Sequence, residues 1–301
     1  MRLLLLGATG QLGRALAPRL GGLGTVAAPA RATLDLEATA TLAPFLDALR
    51  PDVIVNAAAY TAVDRAEADL SRAMAVNADA PAALARWAQR YGAGLVHIST
   101  EYVYSGAGET PWREDDTAEP QNAYGRSKLE GDTAVLASGA WAVVLRTSWL
   151  YAEPGRNFVT TIAEKARAAE ELHVVADQVG APTSADRLAE IVLTILRTDA
   201  DPRAAVLANP GLVHACAGGE TTRMDLARAI VEGLSARGVA LACRHIAATV
   251  TTARPGEAMR PLNSRLDLSR LKSRYGIAPP DWRHDLSPVL DRIARRLATR
   301  H

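Results

Sequence analysis

The sequence Leu3-Leu4-Leu5-Leu6-Gly7-Ala8-Thr9-Gly10-Gln11-Leu12-Gly13 decides the fold class of this 301-residue chain. Its unbroken apolar run is typical of a parallel strand that is covered on both faces. Three glycines spaced three apart then predict a sharp turn, a close backbone approach to a pyrophosphate and tight packing of the next helix. The free N–H groups at the start of that helix attract phosphate. We therefore expect a dinucleotide to bind at Gly7, Gly10, Gln11, Leu12 and Gly13.

Strand and helix patterns alternate through the first half of the chain, which implies a parallel sheet with right-handed crossovers. The predicted strands are residues 3–6, 25–29, 52–56, 94–99 and 141–148. The longest predicted helix covers residues 66–89, with Pro81 as the place for a break. The predicted fold is α/β, a Rossmann-type doubly wound parallel sheet with a smaller C-terminal α/β lobe for the substrate.

The less regular second half suggests how the chain divides. We predict that residues 1–150, joined by about 185–217, form the NAD(P)-binding domain. Residues 151–184 and 218–301 are predicted to form the substrate lobe. Such a lobe would lie over the carboxyl end of the sheet, where ligands bind in open α/β folds.

Composition excludes several classes of protein. A net charge of +1 does not indicate nucleic acid or an anionic membrane as the main partner. No stretch approaches the roughly 20 apolar residues of a membrane span, and we expect a cytoplasmic protein. Cys216 and Cys243 have neither metal-ligand nor disulfide spacing, and the six histidines show no ligand spacing, so no metal site is predicted.

Tyr124 and Lys128 lie four residues apart, a spacing that puts both side chains on one face of a helix. A phenol with a pKa of about 10 is a poor acid at neutral pH, and a nearby ammonium lowers that pKa. Thr100 stands just past the carboxyl end of a predicted strand. Beside a phosphate-binding loop, Thr100, Tyr124 and Lys128 indicate reduction of a carbonyl by a nicotinamide.

The end of the second predicted strand bears on the choice of cofactor. Its sequence, Ala27-Ala28-Pro29-Ala30-Arg31, lacks the acid that would bind a ribose 2′-hydroxyl. Arg31 can instead pair with a 2′-phosphate, which favours NADPH and leaves NADH open. Asp35 and Leu36 are expected near the adenine.

Several longer strings narrow the interpretation. They are Asn56-Ala57-Ala58-Ala59-Tyr60-Thr61-Ala62-Val63-Asp64, Ser99-Thr100-Glu101-Tyr102-Val103-Tyr104, Arg146-Thr147-Ser148-Trp149, Asp177-Gln178-Val179-Gly180-Ala181-Pro182-Thr183 and Arg260-Pro261-Leu262-Asn263-Ser264-Arg265-Leu266-Asp267. With the glycine loop and the Tyr/Lys pair, they make the chain resemble the dTDP-4-dehydrorhamnose reductase family of the extended short-chain dehydrogenase/reductase superfamily.

The resemblance implies reduction of the C4 keto group of dTDP-4-dehydro-L-rhamnose to dTDP-L-rhamnose. Tyr124 would be the acid, Lys128 would hold the nicotinamide ribose and depress the pKa of Tyr124, and Thr100 would bind the substrate carbonyl. Further cofactor residues that it implies are Ala58, Ala59, Tyr60 and Asn77. The substrate residues that it implies are Thr61, Val63, Thr100, Glu101, Tyr102, Trp149, Arg260 and Asn263.

Two departures from the family pattern matter. Glu101 stands where the family has Asp, and its extra methylene is expected to reshape the sugar pocket. Some members form a magnesium-bridged dimer through a Glu in the first helix, but this chain has Arg14-Ala15 there and Asp186-Arg187 near the later ligands. A magnesium bridge is therefore not expected, and a monomer or weak homodimer is.

Three alternatives stay open from the sequence. The first is a ketoreductase for another dTDP-4-keto-deoxysugar or a dihydrostreptose-type sugar. The second is a nucleotide-sugar epimerase or dehydratase, which shares the fold and the Tyr/Lys pair but retains its NAD. The third is a non-catalytic regulatory subunit, like the β subunit of methionine adenosyltransferase, against which the intact Thr100, Tyr124 and Lys128 argue.

Overall fold

The computed structural model of the chain describes residues 1–254 and 256–298. Its strands are β1 (Arg2–Leu6), β2 (Thr25–Ala27), β3 (Val53–Asn56), β4 (Gly94–Thr100), β5 (Ala142–Thr147), β6 (Leu150–Tyr151), β7 (Glu171–Val175), β8 (Val179–Gly180), β9 (Thr183–Ser184), β10 (Gly211–His214), β11 (Thr221–Thr222), β12 (His245–Thr249) and β13 (Asn263–Ser264). Its helices are α1 (Gln11–Leu20), α2 (Leu42–Leu49), α3 (Val63–Ala68), α4 (Leu70–Met74), α5 (Ala80–Tyr91), α6 (Ala123–Ala137), α7 (Phe158–Ala168), α8 (Ala185–Leu196), α9 (Pro202–Ala208), α10 (Arg223–Ser235), α11 (Ser269–Tyr275) and α12 (Trp282–Ala298).

Six parallel strands form the central sheet in the order β10-β5-β4-β3-β1-β2. Strand β1 lies between β2 and β3, so the winding of the chain reverses there. In doubly wound sheets, ligands bind outside the carboxyl ends of the strands at this switch point. The predicted Rossmann-type doubly wound parallel sheet is confirmed.

The four leucines of β1 show why this sheet is buried on both faces. Leu3 and Leu5 pack in a core with α1 and α8, whereas Leu4 and Leu6 pack in a second core with α2 and α5. Successive side chains of a strand point to opposite faces, so a strand between two layers of helices needs apolar residues at every position. The continuous Leu run satisfies that requirement.

A third hydrophobic core lies outside the two cores of the large sheet. It contains buried residues of α7, α10 and α12 and of the two-stranded parallel sheet β7-β12. Leu271 and Tyr275 of α11, in contrast, pack in the core beside α1 and α8. No helix among residues 1–254 and 256–298 is long and apolar enough to cross a membrane.

The helix predicted over residues 66–89 differs from the structure. The segment instead holds α3, α4, a π-helical turn at Ala75–Asp79 and α5. Pro81 does not break a helix, because it lies in the first turn of α5, where a missing N–H costs nothing. The strand predicted over residues 25–29 is also shorter, since β2 ends at Ala27 before Pro29.

The π-helical turn packs closely against Gly131 in the middle of α6. A Cβ at Gly131 would overlap the carbonyl oxygen of Asn77, which belongs to that turn. We predict that Gly131→Ala lowers the free energy of unfolding by roughly 1–3 kcal/mol, because backbone must move to accommodate the methyl group. Urea denaturation measures the effect.

Gly21→Ala is the matched control for this prediction. A Cβ at Gly21 would meet only the Pro18 carbonyl oxygen, at 4.0 Å, and the residue has ordinary right-handed φ. Equal stability changes in the two variants would contradict the packing that we describe.

Candidate active site

A cavity of about 740 Å³ extends along the carboxyl ends of β1, β3, β4 and β5. This volume is typical of small-molecule sites. One end is lined by Arg31, Asp35 and Glu37, which follow β2. The other end is lined by Trp149 after β5 and by Arg223 at the start of α10. The cavity therefore spans the switch point of the sheet and reaches the start of α10.

Most residues that the sequence predicted for the site line this cavity. They are Gly7, Gly10, Gln11, Leu12, Arg31, Asp35, Leu36, Ala58, Ala59, Tyr60, Thr61, Val63, Thr100, Glu101, Tyr102, Tyr124, Lys128 and Trp149. Four predicted residues are not among the lining residues, namely Gly13, Asn77, Arg260 and Asn263. Each of these four instead contacts other parts of the protein.

The glycine loop has the shape of a phosphate cradle. Gly7 has φ +77°, and a Cβ there would lie 2.7 Å from the backbone nitrogen of Ala58. A Cβ at Gly13 would overlap the carbonyl oxygen of Gly7, so α1 can approach the loop only because residue 13 is glycine. Gly10 caps α1 without a side-chain hydrogen bond, and the first turn has no acid. Its N–H groups can therefore bind the pyrophosphate of a dinucleotide.

Asn77 supports the cavity wall rather than facing the cavity. Its Oδ1 accepts a hydrogen bond from the N–H of Tyr60 (2.8 Å), and its Nδ2 donates to the carbonyl oxygen of Tyr60 (3.0 Å) and to Ser127 Oγ (3.0 Å). The side chain is buried, and these bonds use both ends of its amide. A π-helical turn often marks a functional site, and here it aims Asn77 at the Tyr60 backbone.

Thr100, Glu101 and Tyr124 form the polar centre of the cavity. Thr100 Oγ1 donates a hydrogen bond to Glu101 Oε2 (2.8 Å), accepts one from the Tyr102 N–H (3.2 Å) and interacts with the Tyr124 phenol. Glu101 Oε1 is buried and has no partner among the described residues. A ligand hydroxyl can therefore donate a hydrogen bond to an oxygen that the protein leaves without a partner.

Desolvation dominates the electrostatics of this centre. It raises the pKa of Tyr124 above that of free phenol, the Glu101 charge raises it further, and the hydrogen bond with Thr100 lowers it. Burial also raises the pKa of Glu101 to about 7. The expectation that Lys128 depresses the pKa of Tyr124 differs from this arrangement, in which the phenol stays protonated at neutral pH. A protonated phenol is the form that a reduction requires, because the product alkoxide takes up a proton.

Lys128 lies beneath the cavity floor in a buried polar network. Its Nζ donates to the carbonyl oxygen of Ile98 (2.7 Å) and lies 3.2 Å from Nε2 of His97. Asn56 Nδ2 is hydrogen-bonded to the Nδ1 of His97 (3.1 Å), so the imidazole joins Asn56 to Lys128. Burial lowers the pKa of Lys128 to about 8, and the nearby Asp132 opposes that shift.

Sequence reasoning missed Arg223, a lining residue of the second lobe. Its guanidinium lies 3.5 Å from the ring centroid of Trp149 and 4.8 Å from that of Phe158, with no hydrogen bond to a described residue. Trp149 itself has φ +46°, a left-handed conformation that costs a non-glycine residue about 1–2 kcal/mol. A signal was available, because Arg223 opens α10, where a cation opposes the helix dipole.

Arg260 and Asn263 have structural partners. Arg260 forms an ion pair with Asp64 of α3 at 2.8 Å. Asn263 is buried, donates to the carbonyl oxygen of Thr110 (2.8 Å) and accepts from Arg265 Nε (2.8 Å). These contacts fasten the 260–265 segment to the loop and helix around the cavity. The structure does not bring either residue to the cavity surface.

Comparison with known proteins agrees with this geometry. The sequence matches the family described as RmlD substrate binding domain over residues 1–295. It is 43% identical to a dTDP-4-dehydrorhamnose reductase of Burkholderia thailandensis, over 94% of this chain and 96% of that one. It is 40% identical to a dTDP-4-dehydrorhamnose reductase of Shigella flexneri, over 97% and 98% of the two chains. The chain belongs to the dTDP-4-dehydrorhamnose reductase family.

The fold of this reductase-family chain also matches a solved relative. The structure of a dTDP-4-dehydrorhamnose reductase from Bacillus anthracis, in complex with NADP, superposes with a TM-score of 0.86. The two sequences are 29% identical, and the match covers 96% of this chain and 98% of that one. A nicotinamide cofactor therefore fits both the family and the cradle at Gly7 and Gly10.

The titration of Glu101 yields a pH prediction for this family member. Ionised Glu101 raises the pKa of Tyr124 and makes the phenol a weaker acid, so kcat/KM should fall roughly three- to tenfold as pH rises through about 7. A second fall near pH 8 follows the loss of the Lys128 charge. Glu101→Gln should abolish the first fall and keep the second.

The matched control is Glu130→Gln, on the exposed side of α6, which should keep both falls. Reductase rates measured from pH 5.5 to 9 with fixed ionic strength give the profile. A fall near pH 7 that persists in Glu101→Gln would show that Glu101 does not cause it.

Proposed function

We propose that the protein is an NADPH-dependent reductase that converts the C4 keto group of dTDP-4-dehydro-L-rhamnose to the alcohol of dTDP-L-rhamnose. One observation carries the proposal. Thr100, Tyr124 and Lys128 meet in the cavity that begins at the glycine cradle, in a chain at least 40% identical to reductases of that name. The residue roles below follow from the contacts in that cavity.

Tyr124 delivers the proton in this mechanism. A bound reduced nicotinamide supplies the hydride for C4. Tyr124, kept protonated by desolvation, donates its hydroxyl proton to the C4 oxygen as negative charge develops there. The hydroxyl of Thr100, held by Glu101 Oε2 and by the Tyr102 N–H, fixes the position of the phenol. The Tyr124 hydroxyl is thus placed to donate to the substrate carbonyl, whereas the single proton of Thr100 goes to Glu101 Oε2.

Lys128 and Asn77 support the same site in different ways, Lys128 through its charge and Asn77 through the cavity wall. Lys128 brings a buried positive charge that favours the tyrosinate left after proton transfer. Asn77 holds the Tyr60 backbone, which lines the cavity next to the cradle. Asn77 acts in this proposal as a positioning residue for the cofactor wall.

Arg223 is the residue that we assign to the anionic part of the sugar nucleotide. It is charged at neutral pH, since desolvation lowers its pKa only to about 10, and it lines the cavity beside Trp149. A guanidinium suits a diphosphate because it presents several donors in one plane. Arg260, which the resemblance implied for the substrate, pairs with Asp64 and so is the less suitable candidate.

Arg31 supports NADPH as the preferred cofactor. It lines the cavity after β2, where no residue supplies the acid that usually marks a preference for NADH at the strand end.

The division into residues 1–150 with 185–217 and residues 151–184 with 218–301 stays a prediction. A cytoplasmic location, a monomer or weak homodimer and the lack of a magnesium role also stay predictions.

The role of Tyr124 has a direct test. Tyr124→Phe should lower kcat by at least about 10²-fold, because it removes the general acid, while the Kd of NADPH stays within about twofold. Absorbance at 340 nm measures turnover, and fluorescence titration measures cofactor binding. Tyr91→Phe, on the far end of α5, is the control that should retain full activity. Undiminished turnover in Tyr124→Phe would reject the assigned acid.

Arg223 has a separate test. Arg223→Gln should raise KM for the dTDP-sugar roughly 10- to 150-fold, with KM for NADPH unchanged, because a hydrogen-bonded charge contributes about 1.5–3 kcal/mol. Arg228→Gln removes the same charge from the exposed side of α10, where Arg228 pairs with Asp225, and should leave both constants unchanged. An equal rise in KM for both ligands in Arg223→Gln would contradict the assignment to the substrate.

A further inference from the structure

A chain of four charged side chains lies at the adenine end of the cavity. Arg31 forms ion pairs with Glu37 and, at 3.6 Å, with Asp35. Arg72 of α4 donates from Nε to the same Glu37 oxygen at 2.7 Å. One carboxylate oxygen of Glu37 thus bridges the guanidinium groups of Arg31 and Arg72. Arg31 is the residue on which the proposed preference for NADPH rests.

The segment that carries these charges is fixed by the core. Leu34 and Leu36 alternate with Asp35 and Glu37, and both leucines are buried in the core beside α2 and α5. The N–H of Glu37 donates to Asp35 Oδ1 at 3.1 Å. The carboxylates therefore have defined places at the rim of the cavity, which Arg31, Asp35 and Glu37 all line.

The charges of this cluster balance, since two arginines face two acids. A 2′-phosphate brings about two negative charges to this place, and an adenosine ribose without it brings a neutral hydroxyl. The phosphate has to take Arg31 from Glu37 and then lies next to a carboxylate of like charge. The hydroxyl can instead donate to a carboxylate while the ion pairs remain. Glu37 therefore opposes binding of the NADPH 2′-phosphate to Arg31, the residue that favours NADPH.

We infer that Glu37 is a cofactor-selectivity residue, whose carboxylate occupies the guanidinium positions that the 2′-phosphate of NADPH would take and so keeps NADH usable. The inference rests on the proposed nicotinamide-dependent function and adds to it a residue that sets the ratio between the two cofactors. Arg72 contributes to the same selectivity, because removal of the Glu37 carboxylate frees a second guanidinium for the 2′-phosphate. A chain with Arg31 and without Glu37 would be a stricter NADPH enzyme.

The experiment measures binding of 2′,5′-ADP and of 5′-AMP to the full chain by calorimetry at low ionic strength. These two probes differ only in the 2′-phosphate and need no sugar substrate. Glu37→Gln should raise the affinity ratio in favour of 2′,5′-ADP by roughly three- to tenfold, the effect of one or two exposed ion pairs. The ratio of kcat/KM for NADPH to that for NADH should rise by a similar factor.

Two further variants isolate the cause. Arg31→Gln should lower affinity for 2′,5′-ADP and leave that for 5′-AMP within about twofold, and most of the gain from Glu37→Gln should vanish in the double variant. Glu232→Gln, on an exposed position of α10, removes an equal charge far from the cavity and should leave the ratio unchanged.

The outcomes separate this inference from the proposed function. If the wild-type chain oxidises both cofactors and Glu37→Gln leaves the two ratios unchanged, the inference is overturned and the reductase stands. An equal gain in Glu232→Gln overturns it too, since net charge alone would then explain the effect. If the wild-type chain binds neither 2′,5′-ADP nor 5′-AMP, the cofactor site fails and both proposals fall together.

Discussion

The contact between Gly13 and the backbone of Gly7 is the constraint on which the rest of the site depends. Because neither residue has a side chain, α1 starts against the end of β1, and Gly7 lies against the Ala57–Ala58 backbone after β3. The N-terminus of α1 and the carboxyl ends of β1 and β3 therefore meet at the switch point of the sheet. The position of the cofactor cradle is set by that contact.

Burial then determines the pKa values of the groups at this switch point, and so the chemistry that they can perform. Away from water, Tyr124 stays protonated, the pKa of Glu101 rises to about 7 and that of Lys128 falls to about 8. Tyr124 and Lys128 thus hold their protons at neutral pH, and Glu101 titrates there, which suits a reaction that consumes one proton in each turnover. His97 and Asp132 lie next to Lys128 and complete this buried network.

The sequence predicted those parts of the site whose residues act through local geometry. The apolar β1, the glycine loop and the four-residue spacing of Tyr124 and Lys128 are all properties of neighbouring residues, and the structure brings them together as expected. Arg223 and Glu37 were missed because their importance depends on tertiary partners, Trp149 and the Arg31–Arg72 pair. The resemblance placed Asn77 at the wall of the cofactor cleft, but the π-helical turn that directs it to Tyr60 has no sequence pattern of its own.

Transfer of isotope from cofactor to sugar tests the central claim most directly. The protein is incubated with dTDP-4-dehydro-L-rhamnose and NADPH that carries deuterium at both hydrogen positions of the reactive nicotinamide carbon, and the product is analysed by mass spectrometry and NMR. The account predicts equimolar oxidation of the cofactor and dTDP-L-rhamnose with a single deuterium at C4. A sugar without deuterium, deuterium at another carbon, or oxidised cofactor that stays bound without net turnover would contradict it.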